Sequence, residues 1–159
     1  MRVSHPFDPI YDENSRILIL GSFPSVRSRE ENFYYGHPQN RFWKLLANLY
    51  DTPIPKTIEE KKKFLLQNRI ALWDVISSCE IENSSDQSIR QAVVNDLSEI
   101  FEQADIQAVF VNGKAAWKLY RKYHGKEAYC LPSTSPANAA WTMERLEKAW
   151  VMIRDNTVY

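Results

Sequence analysis

The sequence predicts an α/β protein: a three-layer α/β/α fold around a central, mostly parallel sheet of about four strands. Three observations carry this. Short apolar, β-leaning runs end in Gly, Asn-Gly or Pro. Stretches with apolar residues at helical spacing separate those runs. Strands and helices therefore alternate, the pattern of parallel strands joined by right-handed crossovers and covered on both faces.

Taken in order, Arg16-Ile17-Leu18-Ile19-Leu20 before Gly21 reads as a buried first strand. Phe42, Leu45, Leu46 and Leu49 share one helical face, and Asn40 stands at the N-cap position. Pro53 and Pro55 interrupt the chain, and Thr57 opens a more polar helix to about Gln67. Its Lys61, Lys62 and Lys63 read as a solvated face before a phosphate patch. Residues 70–76 read as a second strand broken by Asp74, residues 77–88 as a polar loop, and Ile89, Val93, Leu97 and Ile100 as another helical stripe. A third strand over 107–111 ends at Asn112-Gly113 and is followed by a helix to about Tyr123; a fourth over 127–131 ends at Pro132. Leu146, Ala149, Trp150 and Ile153 mark the last helix.

The length of 159 residues suits one domain spanning 1–159. A hydrophobic fraction of 44% with 25% charged residues excludes disorder and collagen-like structure. No apolar run reaches the ~20 residues of a bilayer span, and the N-terminus lacks a signal-peptide stretch, so a cytoplasmic protein without membrane association is expected. Cys79 and Cys130 supply neither a disulfide framework nor a cluster ligand set; no metal and no cofactor are expected. Twenty basic residues balance twenty acidic ones, so a nucleic-acid partner must be gripped by a local patch. The phosphate-loop, dinucleotide, nucleophile-elbow and zinc-protease motifs are absent, and His5, His37 and His124 are scattered.

Ligands of open parallel sheets bind beyond the carboxyl ends of the strands. That rule brings together Gly21-Ser22-Phe23-Pro24-Ser25, Asp74, Asn112-Gly113 and residues 132–138, all rich in small and polar side chains.

The block Gly36-His37-Pro38-Gln39-Asn40-Arg41-Phe42-Trp43-Lys44 closely resembles a signature of the uracil-DNA glycosylase superfamily. Gly21-Ser22-Phe23-Pro24-Ser25 falls where that superfamily has its first motif. Leu131-Pro132-Ser133-Thr134-Ser135-Pro136-Ala137-Asn138 falls where it has its second, and Gly113-Lys114 matches a Gly-Lys opening the intervening helix. The chain departs from the wider pattern in two places. Phe23 replaces the usual Asp or Asn of the first motif, while Ser133 and Ala137 replace the leading polar residue and the duplex wedge of the second. The combination is similar to the hypoxanthine-DNA glycosylase branch, also called DNA-deoxyinosine glycosylases.

This resemblance implies a DNA glycosylase that hydrolyses the N-glycosidic bond of a deaminated base flipped out of DNA, hypoxanthine first, and the absence of an evident lysine nucleophile in the motifs leads to the expectation that it is monofunctional. A mismatch-specific uracil-DNA glycosylase and a non-catalytic module for damaged DNA or a nucleotide are the alternatives. It implies DNA containing a damaged base as partner, and a monomer is expected. Asn40 takes the catalytic place. Gly21, Ser22, Phe23, Tyr35 and Asp74 are expected to bind the base; Pro24, Ser25, Arg41, Ser133, Thr134, Ser135, Pro136, Ala137 and Asn138 are expected to meet DNA.

An amide has no useful pKa, so Asn40 is expected to hold a water by its carbonyl oxygen, or to be only a helix cap, or both. Backbone amides near Ser22 and Phe23 and the hydroxyls of Ser133 and Ser135 are candidate donors to the departing base. Asp74, if ionised, accepts the ring N–H that hypoxanthine and uracil present and opposes adenine's bare acceptor; alternatively it caps a turn or pairs with Arg90. Tyr35, with Tyr34 beside it, either floors a flipped base or packs in the core. Arg27, Arg29, Lys114 and Arg145 stand near the motifs as candidate phosphate contacts.

Overall fold

The computed structural model describes residues 2–4, 8–23, 33–80, 90–124 and 127–157. In chain order the elements are β1 (Arg2–Ser4), β2 (Ile17–Gly21), α1 (Phe42–Leu49), α2 (Ile58–Gln67), β3 (Ile70–Asp74), β4 (Ile76–Glu80), β5 (Arg90–Val94), α3 (Ser98–Gln103), β6 (Ala108–Asn112), α4 (Lys114–Tyr123), β7 (Tyr129–Leu131) and α5 (Met143–Asp155).

The main sheet has the order β3-β2-β6-β7 and every pairing in it is parallel. Because side chains alternate along a strand, Ile17 and Ile19 of β2 enter one core layer while Leu18 and Leu20 enter the other. The first layer packs β2, β3, β6 and β7 against α1, α2 and α5 through Phe42, Leu45, Leu46, Phe64, Leu65, Leu146 and Trp150. The second packs the opposite face against Ile100 of α3 and Ala116 and Tyr120 of α4. Strands central to such a sandwich are buried on both sides, which is why β2 is apolar throughout. The chain leaves β2 toward β3 and later leaves β6 toward β7, so strand order reverses between β2 and β6, and ligands of open parallel sheets bind beyond the carboxyl ends of strands at such a reversal.

The expected architecture and the four parallel strands are observed, with edges shifted by one or two residues. Thr57 caps α2 in a full capping box with Glu60. Two expectations are corrected. Residues 76–80, expected to join β3 and then a loop, form β4, which pairs antiparallel with β1 and β5 in a second, three-stranded sheet. The helical stripe expected from Ile89 to Ile100 is a strand, β5, followed by a short helix, α3; Ile89 itself lies outside the described residues. Asn95 explains the change: its backbone N–H donates to the Val75 carbonyl (2.8 Å) and its side-chain amide to the carbonyls of Asp74 (2.8 Å) and Ile76 (3.2 Å). Those long-range bonds hold the chain extended where local periodicity favours a helix.

Tyr50, just after α1, bonds its hydroxyl to Thr157 Oγ1 at 2.6 Å, and burial pushes its pKa up to about 12. A phenol whose pKa rises on folding stabilises the fold fully below its unfolded value near 10 and loses that contribution as pH climbs toward 12. Melting temperature should therefore fall between pH 10 and 12. Tyr50→Phe should melt lower at pH 7, by the ~1 kcal/mol of one hydrogen bond, yet decline less steeply in alkali; parallel melting curves across that range check this.

Candidate active site

The last residues of the four main strands, Asp74 of β3, Gly21 of β2, Asn112 of β6 and Leu131 of β7, line one end of the sheet in spatial order. Gly21 and Asp74 are partners in register. A Cβ built on Gly21 would lie 2.5 Å from Asp74 Oδ1 and 3.0 Å from the Tyr35 hydroxyl, so glycine is required by the close approach of both groups. Asp74 is only 4% exposed. The backbone turns at once after it, with Val75 N–H donating to the Gly21 carbonyl (2.8 Å) and Ile76 N–H to the Ser22 carbonyl (3.0 Å).

Tyr35 has a left-handed backbone, φ 55°, and stacks its ring on Phe42 with centroids 4.0 Å apart. Tyr34 is core: it is buried, and its hydroxyl donates to the Asp8 carbonyl at 2.9 Å. Burial first, then the charge of Asp74, holds its pKa well above the ordinary tyrosine value, which keeps the phenol neutral. Phe23 packs its ring into the second core layer at 8% exposure, beside Leu18 and Leu20, so a buried ring stands at the expected base-binding position.

A second cluster centres on Asn40. His37 forms a turn in which its carbonyl accepts from Asn40 N–H (2.9 Å) and its Nδ1 accepts from Gln39 N–H (3.1 Å). Asn40 Oδ1 accepts from the Phe42 N–H (3.0 Å) and from the Thr134 hydroxyl (2.8 Å). Thr134 in turn is held by Asn112, whose Nδ2 donates to Thr134 Oγ1 (3.0 Å) and whose Oδ1 accepts from the Thr134 N–H (3.1 Å). Phe42 joins the two clusters, since its N–H bonds Asn40 and its ring carries Tyr35.

Arg41 locks the second motif to the block from Gly36 to Lys44. Its backbone N–H donates to the Thr134 carbonyl (3.1 Å), and its guanidinium donates to the carbonyls of Ser135 (3.1 Å), Asn138 (3.0 Å) and Trp141. Within that segment Ser133 Oγ accepts from Ser135 N–H (3.1 Å), Ser135 Oγ accepts from Ala137 N–H (3.2 Å), and Asn138 Nδ2 donates to the Ser133 carbonyl (3.0 Å). Gly113, at φ +97°, leaves room for Ser133, whose Cβ would lie 3.2 Å from a Cβ there. Pro136 and Asn138 are half-buried and Ala137 is exposed.

Several expectations change. Arg41 and Thr134, expected to meet DNA, face inward: the guanidinium is occupied by loop carbonyls, and Thr134 is 0% exposed. Asn40 stands one residue before the assigned N-cap of α1, Arg41, which makes no side-chain cap; Asn40 nevertheless supplies the oxygen for the first helical N–H. Its carbonyl is filled by protein donors and is closed to the expected water. Pro24, Ser25, Arg27 and Arg29 lie outside the described residues, as does the side chain of Arg90. The Arg145 guanidinium lies 4.1 Å from the ring centroid of half-buried Trp141, and Lys114 is exposed at the start of α4. Sequence reasoning placed Asn112 on the rim without a role and missed Asn95; their signal is a polar side chain at, or bonded to, the carboxyl end of an apolar strand.

The Uracil DNA glycosylase superfamily profile matches residues 9–155, and the chain belongs to that superfamily. It is similar to a protein of Methanosarcina acetivorans named Hypoxanthine DNA glycosylase, 36% identical over 152 residues that cover 93% of this chain and 96% of the relative. A Methanosarcina barkeri protein of the same name is 35% identical over 136 residues, 83% of this chain and 86% of the relative. The solution NMR structure of a Methanosarcina acetivorans protein superposes with a TM-score of 0.83 at 34% identity, covering 100% of both chains.

Two substitutions test this geometry. Gly21→Ala should force Asp74 and Tyr35 apart, costing about 1–3 kcal/mol of stability and most of the base-binding capacity, read by melting and by affinity for modified DNA. Arg41→Lys, which cannot span three carbonyls, should lower the melting temperature by roughly 5 °C while leaving the salt slope of DNA binding unchanged; a shallower slope would return Arg41 to the phosphates.

Proposed function

We propose that this chain is a monofunctional DNA glycosylase that releases hypoxanthine from deoxyinosine in DNA. The observation that carries the reading is the convergence, through Phe42, of Asn40 with the Gly21–Asp74–Tyr35 cluster at the carboxyl ends of β2 and β3. Kinship with relatives named for hypoxanthine supplies the substrate.

In this reading the flipped base rests against Tyr35, whose other face is supported by Phe42, and presents its edge to Asp74. A carboxylate there accepts the ring N–H of hypoxanthine and meets adenine with two acceptors opposed, which rejects the normal base. The same negative charge disfavours a base leaving as an anion, so the site needs compensating donors. Ser133 and Ser135 are half-buried beside Thr134 and retain hydroxyl protons to give, and the segment 133–138 offers DNA a surface whose shape Arg41 sets. Attack is by water, because the lysines the motifs carry, Lys44 on α1 and Lys114 at the start of α4, are exposed and neither is bonded to Asn40 or Thr134, so none is held there to form a Schiff base.

The test is single-turnover incubation of excess protein with duplexes bearing hypoxanthine, uracil, xanthine or a thymine mismatch. The deoxyinosine duplex should yield an alkali-labile abasic site fastest. Asp74→Asn should narrow the preference for hypoxanthine over adenine by about 10-fold or more, with overall DNA affinity little changed. Equal loss of affinity for every sequence, with base choice intact, would make Asp74 structural.

A further inference from the structure

The hydrogen bonds around Asn40 have a polarity that two backbone groups dictate. The Thr134 N–H can only donate, so the Asn112 atom that receives it is oxygen and the other end of that amide, Nδ2, donates to Thr134 Oγ1. The hydroxyl has one proton, and it goes to Asn40. The Phe42 N–H also can only donate, and it reaches the same Asn40 atom, which is therefore oxygen by two independent requirements. Both lone pairs of that oxygen are taken. The amide NH₂ is left over, and among the described residues no group accepts from it.

We propose that Asn40 promotes base release as a hydrogen-bond donor, through its NH₂, to the departing base, and that Thr134 and Asn112 are positioning residues that fix this polarity. The proposal rests on the glycosylase reading above. In the reaction the bond from C1′ to the purine nitrogen breaks and its electron pair stays on the base. A water oxygen bonds to C1′, and a proton from that water ends on the released base. Negative charge thus grows on the purine's acceptor nitrogens during the step, where a fixed neutral donor is most effective and where Asp74 acts in the opposite sense. Asn40 itself gives up no proton. Nucleophilic water must be held by another group, because the Asn40 carbonyl is filled.

Asn40→Asp separates the two roles, since it keeps an oxygen for Phe42 and Thr134 and puts a second oxygen where the NH₂ stood. Single-turnover release of hypoxanthine should be measured from pH 5 to 9 for the parent, Asn40→Asp and Asn40→Ala. Near pH 8 both variants should be slower by about 10²- to 10³-fold, and Asn40→Asp alone should recover toward low pH as its carboxyl gains a proton to donate. An Asn40→Asp rate equal to or above the parent's and rising with pH would show the amide handling water, and would overturn the proposal. Thr134→Val should slow release about 10-fold with the Kd for modified DNA within twofold, and Thr134→Ser should rescue most of that loss. A Thr134→Val variant as fast as the parent would remove the positioning role, and this comparison stands even if Asn40 variants melt early. A parent protein that binds deoxyinosine DNA but releases no base overturns the glycosylase reading itself, an outcome distinct from an active parent with an active Asn40→Asp.

Discussion

The Arg41 guanidinium and the carbonyls of Ser135, Asn138 and Trp141 form the interaction on which the site depends. Loops carry backbone acceptors that no strand or helix satisfies, and a half-buried loop must find donors for them. Arg41 provides several donors in one rigid plane, which a lysine's compact ammonium does not. With that segment fixed, Thr134 lies against both Asn112 and Asn40, and its carbonyl receives the Arg41 N–H.

The run from His37 to Trp43 distributes its work residue by residue. His37 makes the turn, Asn40 receives the first helical N–H and the Thr134 hydroxyl, Arg41 holds the distant loop, Phe42 supports Tyr35, and Trp43 donates from Nε1 to the Tyr34 carbonyl at 3.0 Å. Trp150 completes the frame by donating from Nε1 to the Pro132 carbonyl at 2.9 Å. Seven consecutive residues thus tie the chain around Tyr34 and Tyr35 to the distant segment from Thr134 to Trp141, the arrangement expected when function requires fixed geometry from loops.

Much of the fold was legible because burial leaves a periodic trace. The apolar run of β2 and the stripes of α1 and α5 announce a sheet covered by helices, and Thr57 with Glu60 announces a cap. The second sheet was not legible: Val93 is 50% exposed, and β5 is held by Asn95 reaching back to the β3–β4 junction, information carried by distant partners and absent from any local window. At the candidate site, residue types pointed to loops that the fold brings to one end of the sheet but not to the inner or outer sides of those loops. Arg41 and Thr134 are polar residues in loops, a composition that signals surface, yet both turn inward to satisfy backbone and amide groups. Asn40 was legible as a cap-like residue, while the polarity of its amide follows only from donors contributed by Phe42 and a segment more than ninety residues away.

Tyr35 sits where the backbone favours glycine or asparagine, since its φ of 55° brings a Cβ against the following carbonyl, a conformation costing ~1–3 kcal/mol. The ring is nevertheless there, stacked on Phe42 beside Gly21 and Asp74. Relief of that torsion and retention of the aromatic surface therefore call for different amino acids at a single codon. Random mutagenesis scored on heat resistance would be drawn to replace this tyrosine and scored on pocket occupancy would keep it, so the two screens diverge at residue 35.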